Sequence, residues 1–110
     1  MNTELIHDFF SGFIRIHILT HTALRPYYGQ ELKEELETHG YHISYGSLYP
    51  LLAQLQKKGL LNREDVNVGG KIRKYYRITP EGTDVLNESR HKLRELTREL
   101  LIDNNRGDQR

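Results

Sequence analysis

The chain has 110 residues, enough for one domain with a modest single core, and its composition indicates no second domain. It contains no cysteine, which excludes a disulfide framework, a thiolate zinc site and a cysteine nucleophile. No apolar run approaches the roughly twenty residues that a bilayer requires, and the net charge of +1 hides a strongly basic segment in the second half of the chain. The first residues do not resemble a secretory signal, so we expect a cytoplasmic protein without a membrane partner.

Apolar residues at helical spacing predict a first helix from about Thr3 to about Thr20. Two adjoining rows of this helix are apolar, so it must be covered on more than one side; the rows hold Leu5, Ile6, Phe9, Phe10, Phe13, Ile14, Ile16 and Ile18. The sequence Leu24-Arg25-Pro26 breaks the helix. Leu32 and Leu36 then mark a short second helix, which we expect to end at Gly40.

A third helix is predicted to follow Ser44, a good N-cap residue, and to end at Gly59. Its inward stripe follows i, i+3, i+4 and i+7 spacing and consists of Leu48, Leu51, Leu52 and Leu55. Pro50 leaves two possible starts for the third helix. If the helix starts at Ser44, the proline ring presses on the carbonyl of Gly46, the most forgiving residue type, whereas a start at Ser47 avoids this contact.

Two segments rich in strand-forming residues, Leu60 to Val66 and Ile72 to Thr79, predict a hairpin, or wing, after the third helix. They are separated by Asn67-Val68-Gly69-Gly70, whose glycines supply the positive φ angles of a hairpin tip. Strand alternation places Tyr76 and Ile78 on one face of the wing and Arg73, Tyr75 and Arg77 on the other. We therefore expect Tyr76 in the core.

Thr79 is the predicted cap of a last helix, with Pro80 at its first position. Leucines at the spacing of a coiled-coil seam follow on this helix, namely Leu86, Leu93, Leu96 and Leu100. The fold class is therefore mainly α with a small β-hairpin. Residues 1–79 form a winged helix-turn-helix region, residues 80–102 a long C-terminal dimerisation helix, and residues 103–110 a disordered tail.

The outward face of the third helix carries no acid, and none occurs from Ser44 to Arg63. The segment from Lys57 to Arg77 holds seven basic residues against two acidic ones, whereas a bland solvated surface would mix the signs. This pattern favours binding of double-stranded DNA, with the helix reading bases and the wing clamping phosphates. The predicted DNA-binding residues are Ser44, Tyr45, Gly46, Ser47, Tyr49, Gln54 and Lys57 on the helix, and Lys71, Arg73 and Lys74 on the wing.

Two histidine patterns raise the question of a metal. His17 and His21 lie at i, i+4, and Glu88-x-x-His91 resembles half of a di-iron motif. Neither pattern has its remaining ligands nearby in the sequence, so we expect no metal and no cofactor.

Enzymatic activity is not expected either, because the chain has no phosphate-cradling loop, no nucleophile elbow and no clustered carboxylates. The main alternative to DNA binding is a winged-helix module that binds a protein instead, since the same fold serves both roles.

Three motifs together resemble the PadR family of bacterial transcriptional regulators: Ser44-Tyr45-Gly46-Ser47-Leu48-Tyr49-Pro50-x-Leu52, Leu55-x-x-x-Gly59-Leu60-Leu61, and Gly69-Gly70-x-x-Arg73-Lys74-Tyr75-Tyr76-Arg77-Ile78-Thr79-x-x-Gly82. The resemblance covers about Phe13 to Leu86 and includes Tyr28-Gly29 at the start of the second helix. It implies a winged helix-turn-helix, a dimer formed by the first and last helices, and repression at an inverted-repeat operator that an effector releases. The dimerisation residues are then Leu5, Phe9, Phe13, Leu86, Leu93, Leu96 and Leu100.

By position, the resemblance assigns the DNA surface to Ser44 through Tyr49 with Gln54, and to Lys71, Arg73 and Lys74 of the wing. Two departures bear on what it implies. Some members hold flat aromatic effectors between tryptophans, and this chain has no tryptophan. Others append a helical C-terminal domain, whereas this chain has a single long helix after the wing and resembles the short subgroup.

Overall fold

The computed structural model describes residues 3–103. In chain order its elements are α1 (Thr3–Leu24), β1 (Tyr27–Tyr28), α2 (Gly29–Thr38), α3 (Tyr45–Lys57), β2 (Leu61–Val68), β3 (Lys71–Ile78) and α4 (Pro80–Arg98), which continues into a π-helical turn (Glu99–Asp103). None of the described helices is long and apolar enough to cross a bilayer. Most of the predicted disordered tail lies outside the described residues; Asp103, assigned to it from the sequence, instead ends the helical turn.

The helix α1 runs to Leu24, four residues beyond the predicted end, and stops where Arg25 precedes Pro26. The strand β1, which the sequence analysis did not predict, then leads directly into α2. At that entry the side chain of Glu31 accepts a hydrogen bond from the Tyr28 backbone N–H at 3.2 Å. The helix α2 ends through His39, and Gly40 follows with a φ of 85°.

Ser44 caps α3, as the first of the two predicted starts requires, and the alternative start at Ser47 is wrong. The Ser44 Oγ accepts a hydrogen bond from the Ser47 backbone N–H at 3.2 Å. Pro50 is accommodated inside the helix. The carbonyl that its ring faces belongs to Gly46, which has no side chain to add to the crowding.

The wing is longer and tighter than predicted. The strand β2 extends to Val68 and β3 begins at Lys71, so the connection is the two-residue turn Gly69-Gly70, with φ angles of 59° and 85°. The three strands form an antiparallel sheet in the order β1-β3-β2. Through the β1 register, Tyr27 lies opposite Tyr76 and Tyr28 lies opposite Tyr75.

The core lies where α1, α2, α3 and α4 meet the sheet. Its buried residues are Ile18, Leu19, Tyr27, Leu32, Leu36, Leu48, Leu52, Leu55, Leu61, Tyr76 and Leu86. Full burial of one such side chain stabilises the fold by about 1.5–3 kcal/mol. The prediction for Tyr76 is confirmed, since 3% of it is exposed. Of the predicted α3 stripe, Leu51 is only half-buried, because it lies at the edge of a groove between α3 and α1.

Large apolar side chains stay uncovered at the N-terminal end of α1 and at the C-terminal end of α4. On α1, Phe9 is 49% exposed, and on the terminal turn after α4, Leu100 is 59% exposed. Phe13 and Leu93 are half-buried. The prediction for Leu86 is wrong, because this residue is 1% exposed and packs into the core of its own chain, where a partner cannot reach it.

Candidate nucleic-acid interface

The N-terminal end of α3 presents backbone N–H groups and hydroxyls without any acid in the first turn. Ser44 and Ser47 face each other here, with their Oγ atoms 3.3 Å apart. Gly46 leaves this end bare, since a Cβ at this position would meet only the Ser44 Oγ, at 3.8 Å. The positive end of a helix dipole with free N–H groups is a favourable site for a phosphate.

Tyr45 and Tyr49 stand one helical turn apart and their rings are stacked, with centroids 5.9 Å apart and an interplanar angle of 25°. The Lys33 ammonium lies 5.6 Å from the Tyr45 ring centroid and the Lys74 ammonium lies 5.9 Å from that of Tyr49. Both tyrosines keep about two fifths of their surface exposed. The sequence analysis assigns both tyrosines to the DNA surface, and in the structure they lie partly packed and partly exposed at the surface.

The Tyr49 ring is held against the first residue of α2. A Cβ built on Gly29 would collide with the Tyr49 hydroxyl and would lie 2.6 Å from the ring carbon Cζ. Only glycine therefore permits this approach. The contact packs the ring of Tyr49 of α3 against the start of α2.

The wing brings Arg73 and Lys74 beside the N-terminal half of α3. The Arg73 guanidinium lies 4.6 Å from the ring centroid of Tyr28, and Tyr28 meets Tyr75 edge to face at 5.4 Å. A hydrogen bond with Tyr75 raises the pKa of Arg73, so this guanidinium stays charged at any physiological pH. Tyr28, Tyr45, Tyr49 and Arg73 line one concave surface between α2, α3 and the wing, and Lys74 continues it.

The two faces of the wing follow the predicted alternation. Tyr76 is buried toward the core, and burial raises the pKa of its hydroxyl. Arg73 lies on the opposite face. Lys74, registered opposite Asp65, shares the Tyr76 face, and Asp65 in turn pairs with Arg63 at 3.0 Å. Lys71 is exposed directly after the turn, at the tip of the wing.

Gln54 and Lys57, the other two predicted residues of α3, lie away from this concave surface. The Gln54 Oε1 accepts a hydrogen bond from Arg15 Nη2 of α1 at 3.1 Å, so the amide is already engaged within the chain. Lys57 is exposed in the last turn of α3, about 18 Å along the axis from Tyr45 at 1.5 Å per residue.

The sequence analysis missed several residues that line or support the site: Arg15, Tyr28, Gln30 and Lys33. Tyr28 appeared only as part of the Tyr28-Gly29 motif. The two-residue strand that carries it is too short to produce an alternation pattern, so its place beside Arg73 follows from pairing with β3.

The sequence places no further ligand close to His17 and His21 along the chain, but the fold does. The end of α2 brings His39 to them, and one ligand atom from each of the three residues lies within 4.8 Å of the others. Within residues 3–103 this is the single group of three or more potential metal ligands. The Glu88-x-x-His91 pattern belongs to no such group among the described residues. His91 instead pairs with Glu95, with 3.4 Å between His91 Nε2 and Glu95 Oε1.

Comparisons with known proteins agree with this geometry. The model of the transcriptional regulator PadR-like family matches residues 18–88. The chain is 44% identical over 96 residues to the transcriptional regulator Rv3488 of Mycobacterium tuberculosis, a match that covers 87% of this chain and 90% of that protein.

Solved structures show the same fold. A PadR family transcriptional regulator from Eggerthella lenta superposes with a TM-score of 0.78 at 35% identity, covering 89% of this chain and 87% of that one. A PadR-like transcriptional regulator from Bacillus cereus superposes with a TM-score of 0.73 at 32% identity, covering 86% of this chain and 91% of that one.

Proposed function

The chain belongs to the PadR-like family of DNA-binding transcriptional regulators, and we propose that it acts in the cytoplasm as a repressor, bound as a homodimer to an inverted-repeat operator. Family membership confirms that it is a regulator of transcription and not an enzyme. It also favours DNA binding over the alternative of a protein-binding module. Beyond family membership, we propose the homodimer, the repression and the set of residues that contact DNA.

The observation that carries the proposal is the acid-free N-terminal half of α3 lying beside the cations of the wing. In this arrangement α3 enters the major groove, where the Ser44 and Ser47 hydroxyls and the bare backbone at Gly46 approach bases and phosphates. Arg73, Lys74 and Lys71 bind phosphates on either side and position the helix without reading sequence. Lys57 reaches a more distant phosphate.

Gln54 takes part in base reading through a different geometry from the other α3 residues. Its hydrogen bond with Arg15 orients the amide from the α1 side. A glutamine whose Oε1 is held in this way can present its Nε2 donor group to an acceptor on a base edge, such as the N7 of adenine. We therefore assign sequence preference to both ends of this face, the serines at the start of α3 and Gln54 in its second half.

The homodimer is supported by the apolar surface at the ends of α1 and α4. Exposed aromatic and aliphatic side chains occur at both helix ends, namely Leu5, Ile6, Phe9 and Phe10 on α1 and Leu96, Leu100, Leu101 and Ile102 on α4 and its terminal turn. An apolar area of this kind marks an interaction surface. A second copy related by a two-fold axis would place its own α1 and α4 against it, with Phe13 and Leu93 at the edge.

Two-fold symmetry dictates the form of the operator. The two α3 helices would enter major grooves about 34 Å apart, one turn of DNA, or a multiple of that distance. The half-sites must then be inverted repeats.

Selection of bound duplexes from a random pool tests the proposal directly. The recovered sequences are expected to contain two inverted half-sites at a spacing of one helical turn or a multiple. Sedimentation of the free protein is expected to show a dimer. A protein that is monomeric and binds no duplex at low salt would contradict the proposal. It would favour the alternative of a winged helix that binds a protein.

A further inference from the structure

Three imidazoles from two helices meet on one side of α1. His17 and His21 lie at i, i+4 on α1, and His39 caps the C-terminus of α2. The His17 and His39 rings are stacked at 4.4 Å between centroids, and His21 lies 5.9 Å from His39. His17 and His21 are half-buried and His39 is exposed, so the cluster is anchored on its inner side and open to solvent on its outer side.

The spacing suits a single small cation. Zinc–nitrogen bonds are about 2.0–2.1 Å long, which puts the nitrogens of a tetrahedral site roughly 3.3 Å apart. The three ligand atoms here lie within 4.8 Å of one another, so small rotations of the side chains close the remaining distance. The exposed position of His39 leaves room for that movement.

Burial, followed by the charges of His39 and His21, lowers the pKa of His17. Neutral imidazole is the form that binds transition metals.

A carboxylate completes the surroundings. The Glu35 Oε2 lies 3.9 Å from the His21 Nε2. It lies outside the group of the three imidazoles, and a small shift lets it accept a hydrogen bond from the His21 ring and orient that ring. Aromatic rings close the other side, with Tyr41 5.3 Å from His17 and Tyr27 5.6 Å from His21.

We infer that His17, His21 and His39 form a binding site for a divalent transition-metal ion of the zinc class, with Glu35 orienting His21. The protein ligands are three imidazole nitrogens, which suit zinc, cobalt, nickel and copper and disfavour the oxygen-seeking calcium and magnesium.

The position of the site gives it a consequence for DNA binding, and this part rests on the proposed function. The ion would join the middle of α1, a helix of the proposed dimer, to His39, five residues before Ser44 at the start of α3. Metal binding would thus fix the turn between α2 and α3 and the angle at which α3 is presented. The site is a candidate for the effector input of the regulator.

Metal binding is tested first, without DNA, on full-length protein prepared without a histidine tag. Co²⁺ is the probe, because a four-coordinate cobalt site with nitrogen ligands absorbs in the visible. The wild-type protein is expected to bind one Co²⁺ per chain, displaceable by Zn²⁺, and to unfold several degrees higher with Zn²⁺ present.

Removing a ligand should abolish this behaviour. His39→Ala and His17→Ala are each expected to lower Zn²⁺ affinity more than about tenfold and to lose both the Co²⁺ bands and the thermal shift, while Glu35→Gln should lower affinity by about 10–100-fold. The matched control is His91→Ala, which removes another surface imidazole paired with a carboxylate. Because His39 is exposed, thermal unfolding of His39→Ala without metal should match that of wild type. Unchanged Co²⁺ binding in His17→Ala and His39→Ala, or no binding by wild type, would overturn the inference.

DNA affinity measured with and without Zn²⁺ then tests the coupling. A Zn²⁺-dependent change of fivefold or more in wild type, absent from His39→Ala, is expected. If Zn²⁺ binds but leaves DNA affinity unchanged, the site stands and the coupling is refuted. If the protein binds Co²⁺ but no duplex, the proposed function and the coupling are both refuted, while the metal site is retained.

Discussion

Gly29 and Tyr49 touch so closely that no side chain fits between them: a Cβ on Gly29 would lie 2.6 Å from the Tyr49 Cζ. One residue begins α2 and the other lies in the exposed half of α3. The absence of a side chain at position 29 therefore sets the position of a ring at the centre of the proposed DNA surface. This contact gives a physical reason for the Tyr28-Gly29 pair at the entrance of α2.

Gly29→Ala is expected to destabilise the protein by about 1 kcal/mol, the low end of the cost of overpacking, because the new methyl group displaces only the far end of the Tyr49 side chain, which can swing toward solvent. Urea unfolding measures the loss. The control is Gly12→Ala on α1, where a Cβ would meet nothing within 4 Å and where alanine should stabilise the helix by about 0.5–1 kcal/mol. Equal stability of the two variants would show that Tyr49 moves aside at no cost.

Gly46→Ala is expected to separate folding from DNA binding. A Cβ there meets only the Ser44 Oγ at an ordinary contact distance, so the free energy of unfolding should stay the same or rise. DNA affinity should fall about tenfold or more, because the methyl group would occupy the space into which a base edge or phosphate approaches. Fluorescence anisotropy on operator DNA measures this. Unchanged affinity would mean that DNA does not approach the start of α3.

Arg73→Ala and Lys74→Ala are each expected to weaken binding to operator and random DNA about equally. Each removes one phosphate contact, so the slope of log K against log salt concentration should decrease by about 1. Salt titrations of both variants measure the slope. Arg90→Ala removes an exposed cation of α4 that lies outside the proposed surface, and its slope should match that of wild type. A loss confined to the operator would assign these residues to base reading instead.

Gln54→Ala is expected to change the preferred base at one position of each half-site while leaving affinity for random DNA unchanged. Arg15→Ala should broaden the preference at the same position, because it removes the hydrogen bond that orients the amide. Selection from a random duplex pool compares the two with wild type. Gln56→Ala, another exposed glutamine of α3, serves as the control. A uniform loss on all sequences in Gln54→Ala would contradict its role as a reader.

Leu100→Asp is expected to shift the proposed dimer to monomer, raising its dissociation constant roughly a hundredfold or more, because symmetry introduces two charges into one apolar interface. Sedimentation equilibrium measures this. Leu24→Asp is the matched control, since Leu24 is also exposed, at 76%, but lies at the opposite end of α1 from Phe9. If both variants sediment as wild type does, the apolar ends of α1 and α4 do not form the interface.

The sequence alone was sufficient to predict the features that depend on a few neighbouring residues. The N-cap at Ser44 and the glycine turn at 69–70 follow from local hydrogen bonding and positive φ angles. The buried stripe of α3 and the core position of Tyr76 follow from helical and strand periodicity. These interactions involve residues close together in the chain, so their pattern can be read along it.

Contacts between segments far apart in the chain were decided only by the tertiary structure. The meeting of His39 with His17 and His21, the bond between Arg15 and Gln54 and the burial of Leu86 each depend on how helices pack. Leu86 satisfies the coiled-coil spacing as well as Leu93 does, yet the sheet and α1 cover it. Periodicity shows which residues are expected to be buried. The packing of the whole chain decides which surface covers each of them.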